Sequence, residues 1–366
     1  METWKIKAAT LAVVGITSSI SVSALAAEAF QLRYNLAGSL GGEMFAPPDQ
    51  AGWAGGVALT YLDVNKVTGD DGKLLRQQVP GGVVPLPAPT PAALYPSYAA
   101  QSVEIIGTGS MPQWNLGVGY LTQDTYGGGR LGFALNVPYA TKRQYFDAHS
   151  TAPVLKWNPA VPAATRAAVA ARFNSQYQAT LDGMADAETG EVSGIGDIEL
   201  QAGWLYVHEK VRVLAGASVV LPTGKYDAAS GPDIGYGNFY TFRPAIQVAY
   251  LPTPDLAIAG KLTLGLNTKN HDNDLRSGNW VGLEAAVGYK TPVGVIGIHG
   301  VRVQQYQDDR NNPWGSSRLR STNAGLFFTT KIPSTDIAVT LQYMATTDSR
   351  NAKHGDFTQV RMLKLF

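Results

Sequence analysis

The residues best able to do chemistry are placed where they cannot do it together. Of five His, four (His149, His208, His271, His354) fall in stretches read as loops or turns, and His299 alone lies on a strand. No two stand at ligand spacing. The chain has no Cys, which removes thiolate metal sites, disulfides and Cys nucleophiles at once. The G-x-S-x-G, H-E-x-x-H and P-loop spacings are absent. Asn270-His271-Asp272-Asn273-Asp274 has the carboxylates of a calcium loop but lacks its Gly and terminal Glu, so it reads as a solvated loop tip. A hydrolase would need Ser or Asp beside His299, and nothing there marks a nucleophile. No catalytic residue, metal ligand or cofactor is assigned, and the chain reads as a non-enzyme.

The remaining polar candidates sit in mid-strand. Asp197, Glu199, Arg243, Lys261, Glu284, Arg302 and Arg361 are expected to face a lumen, where charges of both signs can be hydrated or paired. The elements carrying them alternate with period 2. In Leu256–Leu266 every even position is Leu, Ile or Gly, and every odd one is Ala, Lys, Thr or Gly. Trp280–Lys290 puts Val281, Leu283, Val287 and Tyr289 on one face and Glu284 and Lys290 on the other.

Carried along the chain, this pattern predicts twelve strands, near 52–63, 112–123, 130–142, 194–207, 211–222, 237–251, 255–268, 279–291, 293–306, 319–332, 335–347 and 356–366. Short turns alternate with long connections, at 64–111, 143–193, 223–236, 269–278, 307–318 and 348–355. That segregation, with an even strand number, is the arrangement of an antiparallel transmembrane outer-membrane β-barrel with long extracellular loops. The strand at 293–306 fits least well, since Ile296 and Ile298 share a face with Arg302; a bulge near Gly297 or Gly300 would repair it.

Aromatic residues mark the two membrane edges. Tyr120, Tyr206, Tyr250, Tyr289 and Phe366 fall near the short-turn ends, and Tyr61, Tyr139, Tyr240 and Tyr343 near the long-loop ends, all on the apolar parity. Charged residues are 16% of the chain, 29 basic against 28 acidic, and mean hydropathy is −0.06. The lack of a basic surplus argues against nucleic acid, and the hydropathy excludes a helical membrane protein.

Residues 1–26 read as a signal peptide: Lys5 and Lys7, an apolar run over Ala8–Val22, then Ala24-Leu25-Ala26. Residues 27–51 precede the barrel (52–366), and Phe30, Tyr34 and Phe45 there have no lipid-facing place, which suggests a segment plugging the lumen. The second long connection holds a helix near 162–181, with Phe173, Tyr177 and Leu181 at i, i+4 spacing, either capping the barrel mouth or forming an external platform. Residues 79–96 are Pro-rich and read as an extended loop.

Two segments are distinctive: Gly194-Ile195-Gly196-Asp197 entering a strand, and Pro222-Thr223-Gly224-Lys225-Tyr226 with a Gly-rich return at Asp233–Gly237. In this order they resemble the MetA-pathway of phenol degradation, or SphA-like, family of outer-membrane proteins. The resemblance implies an outer-membrane channel in a Gram-negative cell, taking up small hydrophobic or aromatic compounds by passive diffusion, with the lipid bilayer as partner. A structural or adhesive barrel with a closed lumen is the alternative. The residues themselves read as architecture, with Gly and Pro bending the chain at a barrel rim. The terminal Phe366 is expected to be the signal read by the barrel-assembly machinery.

Overall fold

The structure is a computed structural model describing residues 31–45, 51–228, 231–311 and 318–366. The signal sequence and Phe30 lie outside the described residues. Twelve strands form the barrel: β1 Gly52–Thr68, β2 Gln101–Tyr126, β3 Gly129–His149, β4 in two segments (Gly190–Ile195 and Glu199–Val207), β5 Val211–Val220, β6 Thr241–Thr253, β7 Leu256–Asn267, β8 Trp280–Thr291, β9 Gly294–Gln305, β10 Arg320–Lys331, β11 Ala338–Arg350 and β12 Ala352–Leu365. Every neighbour is antiparallel, and β1 pairs with both β2 and β12, so the sheet closes. Closure leaves no edge whose N–H and C=O groups would lie unpaired in hydrocarbon.

Side-chain direction follows the expected parity. On β7, Ile258, Leu262 and Leu264 face outward while Ala257, Ala259 and Thr263 are buried. The outward faces of the other strands are likewise apolar: Leu116, Phe133, Leu200, Ile246, Leu283, Ile298, Leu326 and Leu341 are exposed. A soluble protein would not tolerate such a band; a bilayer supplies its solvent. Tyr250 (46% exposed), Tyr289 (54%) and Phe366 (75%) stand on the outer face, while Tyr120 and Tyr206 are half-buried beside Trp53 and Trp204.

Three expectations about extent are corrected. Strand β2 starts at Gln101 rather than near 112, β1 runs on to Thr68 and β3 to His149, so all three strands are longer than expected. Residues 348–355 are no long loop: β11 turns directly into β12 at Asn351, which adopts φ 45°. Strand β9 has no bulge, since its register with β8 and β10 is unbroken. Arg302 consequently shares the outer face with Ile298, and His299 points inward.

Residues 74–107 and 145–189 form a second compact unit. Within it the helix spans Ala163–Glu188, seven residues past its expected end, and buries Phe173, Tyr177 and Leu181. Tyr98 packs on Phe173 with the rings tilted and their centroids 5.0 Å apart, giving this unit its own small aromatic core.

Candidate functional site

The inner wall is occupied by the chain's own N-terminal segment. Residues 31–45 include one short helical turn, Gly42–Met44, and otherwise lack regular structure. Irregular backbone leaves donors and acceptors that must be satisfied from outside. Inward residues of the strands supply them. Asn323 donates to the Leu36 carbonyl at 3.0 Å, Arg361 to that of Ser39 at 2.9 Å, and Gln342 to that of Ala37. Gly42 N–H donates to Thr329 Oγ1 at 3.0 Å, and His299 Nδ1 lies 3.2 Å from the Leu40 carbonyl. Leu32, Ala37, Leu40 and Met44 are nearly fully buried among inward residues such as Val301, Val303 and Phe327.

Arg33 is the most constrained residue of this segment. It is 5% exposed, and its Nε donates to Asp197 Oδ2 at 2.9 Å. Its Nη2 donates to the Gly237 carbonyl at 2.8 Å and its Nη1 to that of Phe239, while the guanidinium lies 3.9 Å over the Phe239 ring. The carboxylate of Asp197 is fixed in turn by the N–H groups of Gly224 (3.0 Å) and Tyr236 (3.1 Å). Gly224 and Gly235 pass so closely that a Cβ on Gly224 would stand 2.6 Å from Gly235 Cα. Only glycine permits that approach, and the approach presents the N–H groups to Asp197.

A second cluster surrounds Glu284. Its oxygens accept from Tyr34 Oη at 2.7 Å and from Ser39 N–H at 2.7 Å, and Lys261 Nζ lies at 3.6 Å. Tyr34 meets Trp280 edge-on at 5.0 Å, its ring lying where a Cβ on Gly282 would come within 2.5 Å of it. Arg243 pairs with Glu199 and donates to the Arg33 carbonyl at 2.6 Å, and Arg361 pairs with Glu43 at 3.3 Å. Each carboxylate is thus matched by a cation, as a low-dielectric interior requires.

Beside this segment lies a cavity of about 840 Å³. Much of its wall is small: Gly56, Ala58, Gly117, Gly119, Gly132 and Ala134 all line it. Toward the short-turn end it is lined by Leu121, Leu205, Leu214, Leu363 and Leu365. Leu214 is 43% exposed although its parity is inward, so its open surface is lumen surface. Higher up, Gln113, Asn115, Asn136, Gln201 and Gln247 offer uncharged hydrogen-bonding groups. The cavity therefore joins a polar section, which the charged side chains of Glu199, Arg243, Lys261, Glu284 and Arg361 also line, to an apolar one.

Residues 98–362 match the sequence profile of the family described as "Putative MetA-pathway of phenol degradation". The chain belongs to that family. Among solved structures it is similar to an outer-membrane channel from Pseudomonas putida F1, at 13% identity and a TM-score of 0.59, covering 87% of this chain and 99% of that one. Weaker likenesses are the β domain of the Bordetella autotransporter BrkA (10% identity, TM-score 0.42, 87% and 100% covered) and the monoaromatic hydrocarbon channel CymD (12%, 0.38, 94% and 98%). No curated protein matches the sequence. The fold is a closed twelve-stranded antiparallel barrel.

Within the family frame, the two motifs read as architecture converge on one place. Asp197 of the first and Gly224 of the second complete the socket of Arg33. Thr223 stitches the interruption of β4: its hydroxyl donates to the Gly196 carbonyl at 3.0 Å and accepts from Ile198 N–H at 2.9 Å. Of the charged candidates, Asp197, Glu199, Arg243, Lys261, Glu284 and Arg361 are gathered around residues 31–45. Arg302 is not; it lies on the outer wall. Tyr34 is buried in the Glu284 cluster and Phe45 is partly buried against Leu40 and Met44. Arg33, Ser39 and Glu43 were not singled out from the sequence. The one signal for them was charge balance, since inward carboxylates need cations and the strand parity alone does not supply one for Asp197.

Proposed function

We propose that the protein is a passive outer-membrane channel for small hydrophobic or aromatic compounds, with residues 31–45 acting as a fixed lumenal plug. The observation that carries this reading is the cavity beside the segment, whose wall is Gly, Ala and Leu along much of its length. An apolar solute loses little by leaving the outer leaflet for such a wall, whereas a hydrated ion would meet leucine surface at the short-turn end. The family assignment and the channel named among the similar structures support the same reading. Phe366, exposed on the outer face at the end of the closing strand, suits recognition by the barrel-assembly machinery.

Proteoliposomes carrying the purified protein should take up a radiolabelled monoaromatic several-fold faster than empty liposomes; equal rates would refute the channel. Deleting residues 27–50 should raise single-channel conductance in planar bilayers, and unchanged conductance would remove the plug. The alternative, a structural or adhesive barrel, draws on one observation: the segment is tied across the lumen by buried ion pairs such as Arg33–Asp197. Uptake no faster than in empty liposomes, with the barrel folded, would favour it.

A further inference from the structure

Arg302 is an arginine where a lipid-facing wall should be apolar. It stands directly opposite Leu283, which is 52% exposed on the outer face, and two residues beyond Gly300 on the same face. From Ile296, paired with the edge residue Tyr289, six residues of strand rise to Arg302. At ~3.3 Å per residue and a tilt of ~40°, that is about 15 Å of height. Its side chain can snorkel upward by several ångströms more, so the guanidinium comes to within about 5 Å of the upper margin of a ~25 Å apolar band.

It is not alone there. Gln304, Arg320 and Arg350 are directly opposed across β9, β10 and β11, which makes one outward row just above Arg302. Arg320 pairs with Asp348 at 2.7 Å, and Arg302 donates to Gln304 at 3.2 Å. Among the described residues, neither Arg302 nor Arg350 has a carboxylate at ion-pair distance. The strip thus carries three arginines against one aspartate. Arg143, by contrast, is neutralised locally by Glu191 at 2.7 Å.

We infer that Arg302, Gln304, Arg320 and Arg350 form a binding site on the outer wall for the phosphate groups of the outer-leaflet glycolipid. The position selects the source. A free anion in water has no reason to seek a guanidinium flanked by Leu283, whereas a lipid phosphate sits just above it, at the row of Gln304, Arg320 and Arg350, with its acyl chains on the apolar band below. Arginine suits the task because its planar fork donates two hydrogen bonds to one phosphate. Each basic residue at an anionic lipid surface strengthens binding roughly five-fold, so two together give about thirty-fold.

The test uses the purified full-length barrel in detergent, titrated with bisphosphoryl lipid A and followed by native mass spectrometry. The site requires Arg302→Gln and Arg350→Gln each to weaken retention about five-fold, and the double variant about thirty-fold. Variants are compared only where heat-modifiable gel migration shows a folded barrel. A second arm needs no variant: on the natural chain, lipid A lacking its phosphates should bind at least ten-fold more weakly than the bisphosphoryl form. Equal binding of the two lipids, or variants within two-fold of the natural chain, would overturn the site. Displacement of lipid A by inorganic phosphate at equal concentration would show a free-anion site and refute the lipid as its ligand.

Discussion

Arg33→Ala should loosen the front of the lumenal segment without dismantling the barrel. Arg33 as a whole is 5% exposed, and its side chain and that of Asp197 are 2% and 5% exposed. Truncating one member of so buried a pair leaves the other charge uncompensated, at a cost of about 3–5 kcal/mol. Asp197 would retain two backbone donors, Gly224 and Tyr236, while the Gly237 and Phe239 carbonyls would lose theirs. At 1.4 kcal/mol per factor of ten, the population with residues 31–37 released rises about 10²- to 10³-fold or slightly more. Residues 39–44 stay tied by Glu284, Thr329 and Arg361, so the loss is local.

Because the chain contains no Cys, a single reporter can be introduced at Ala37, which is 1% exposed. In the Ala37→Cys background a membrane-impermeant maleimide should react about a hundred-fold faster once Arg33 is replaced, following the released population. Conductance should rise to a level between those of the natural chain and of the 27–50 deletion. Asp197→Ala alone should have a similar effect, and the Arg33→Ala/Asp197→Ala double variant should be much less than additive. A labelling rate within two-fold of the parent, in a barrel that remains heat-modifiable, would refute the claim that this pair holds the segment.

Glu284→Gln should destabilise the folded barrel by about 3 kcal/mol, since Lys261, Tyr34 and Ser39 lose a buried charge; urea unfolding in detergent measures it. Gly282→Ala places a methyl 2.5 Å from the Tyr34 ring, so the ring must shift, costing about 1–3 kcal/mol by the same assay and raising Trp280 fluorescence sensitivity to quenchers. Leu214→Gln exchanges lumen-exposed apolar surface for an amide, and uptake of a monoaromatic should fall about five-fold with unfolding unchanged. Thr223→Val deprives Ile198 N–H and the Gly196 carbonyl of their partner and should cost about 1–3 kcal/mol, whereas Thr223→Ser should be nearly neutral.

What the sequence made legible is what two solvents imprint on one strand. Between the aromatic rows each strand has lipid on one side and lumen on the other, so residues such as Leu262 and Lys261 must alternate, and twelve strands can be counted. Past the band that constraint lapses. In residues 101–111 of β2 and 143–149 of β3 the outward side carries Ser102, Glu104, Arg143 and Asp147, and only short apolar alternations such as Val103 with Ile105 or Phe146 with Ala148 mark the other side, although the backbone pairing continues. Arg302 defeated the parity rule because an outward arginine at the band's margin looks, in sequence, like an inward one. Arg33 was invisible for another reason: its partner lies 164 residues away, and no local pattern records a contact of that kind.

The interruption of β4 explains why the most recognisable sequence in the chain lies where the barrel is least regular. Between Ile195 and Glu199 the wall gives up ladder hydrogen bonds, which in a membrane barrel must be replaced. Gly196 N–H is taken by the Pro138 carbonyl, Ile198 N–H by Thr223, and the Ile198 carbonyl by Leu221 N–H. That repair frees the intervening Asp197 from the alternation and turns its carboxylate toward Arg33, while the same loop delivers the Gly224 N–H that steadies it. A strand that stayed regular could not present an aspartate with two backbone donors behind it and a guanidinium in front. The Gly-x-Gly-Asp and Pro-Thr-Gly segments are therefore halves of one socket, and the third part is an arginine that neither motif contains. Both segments thus serve to hold the lumenal segment in place.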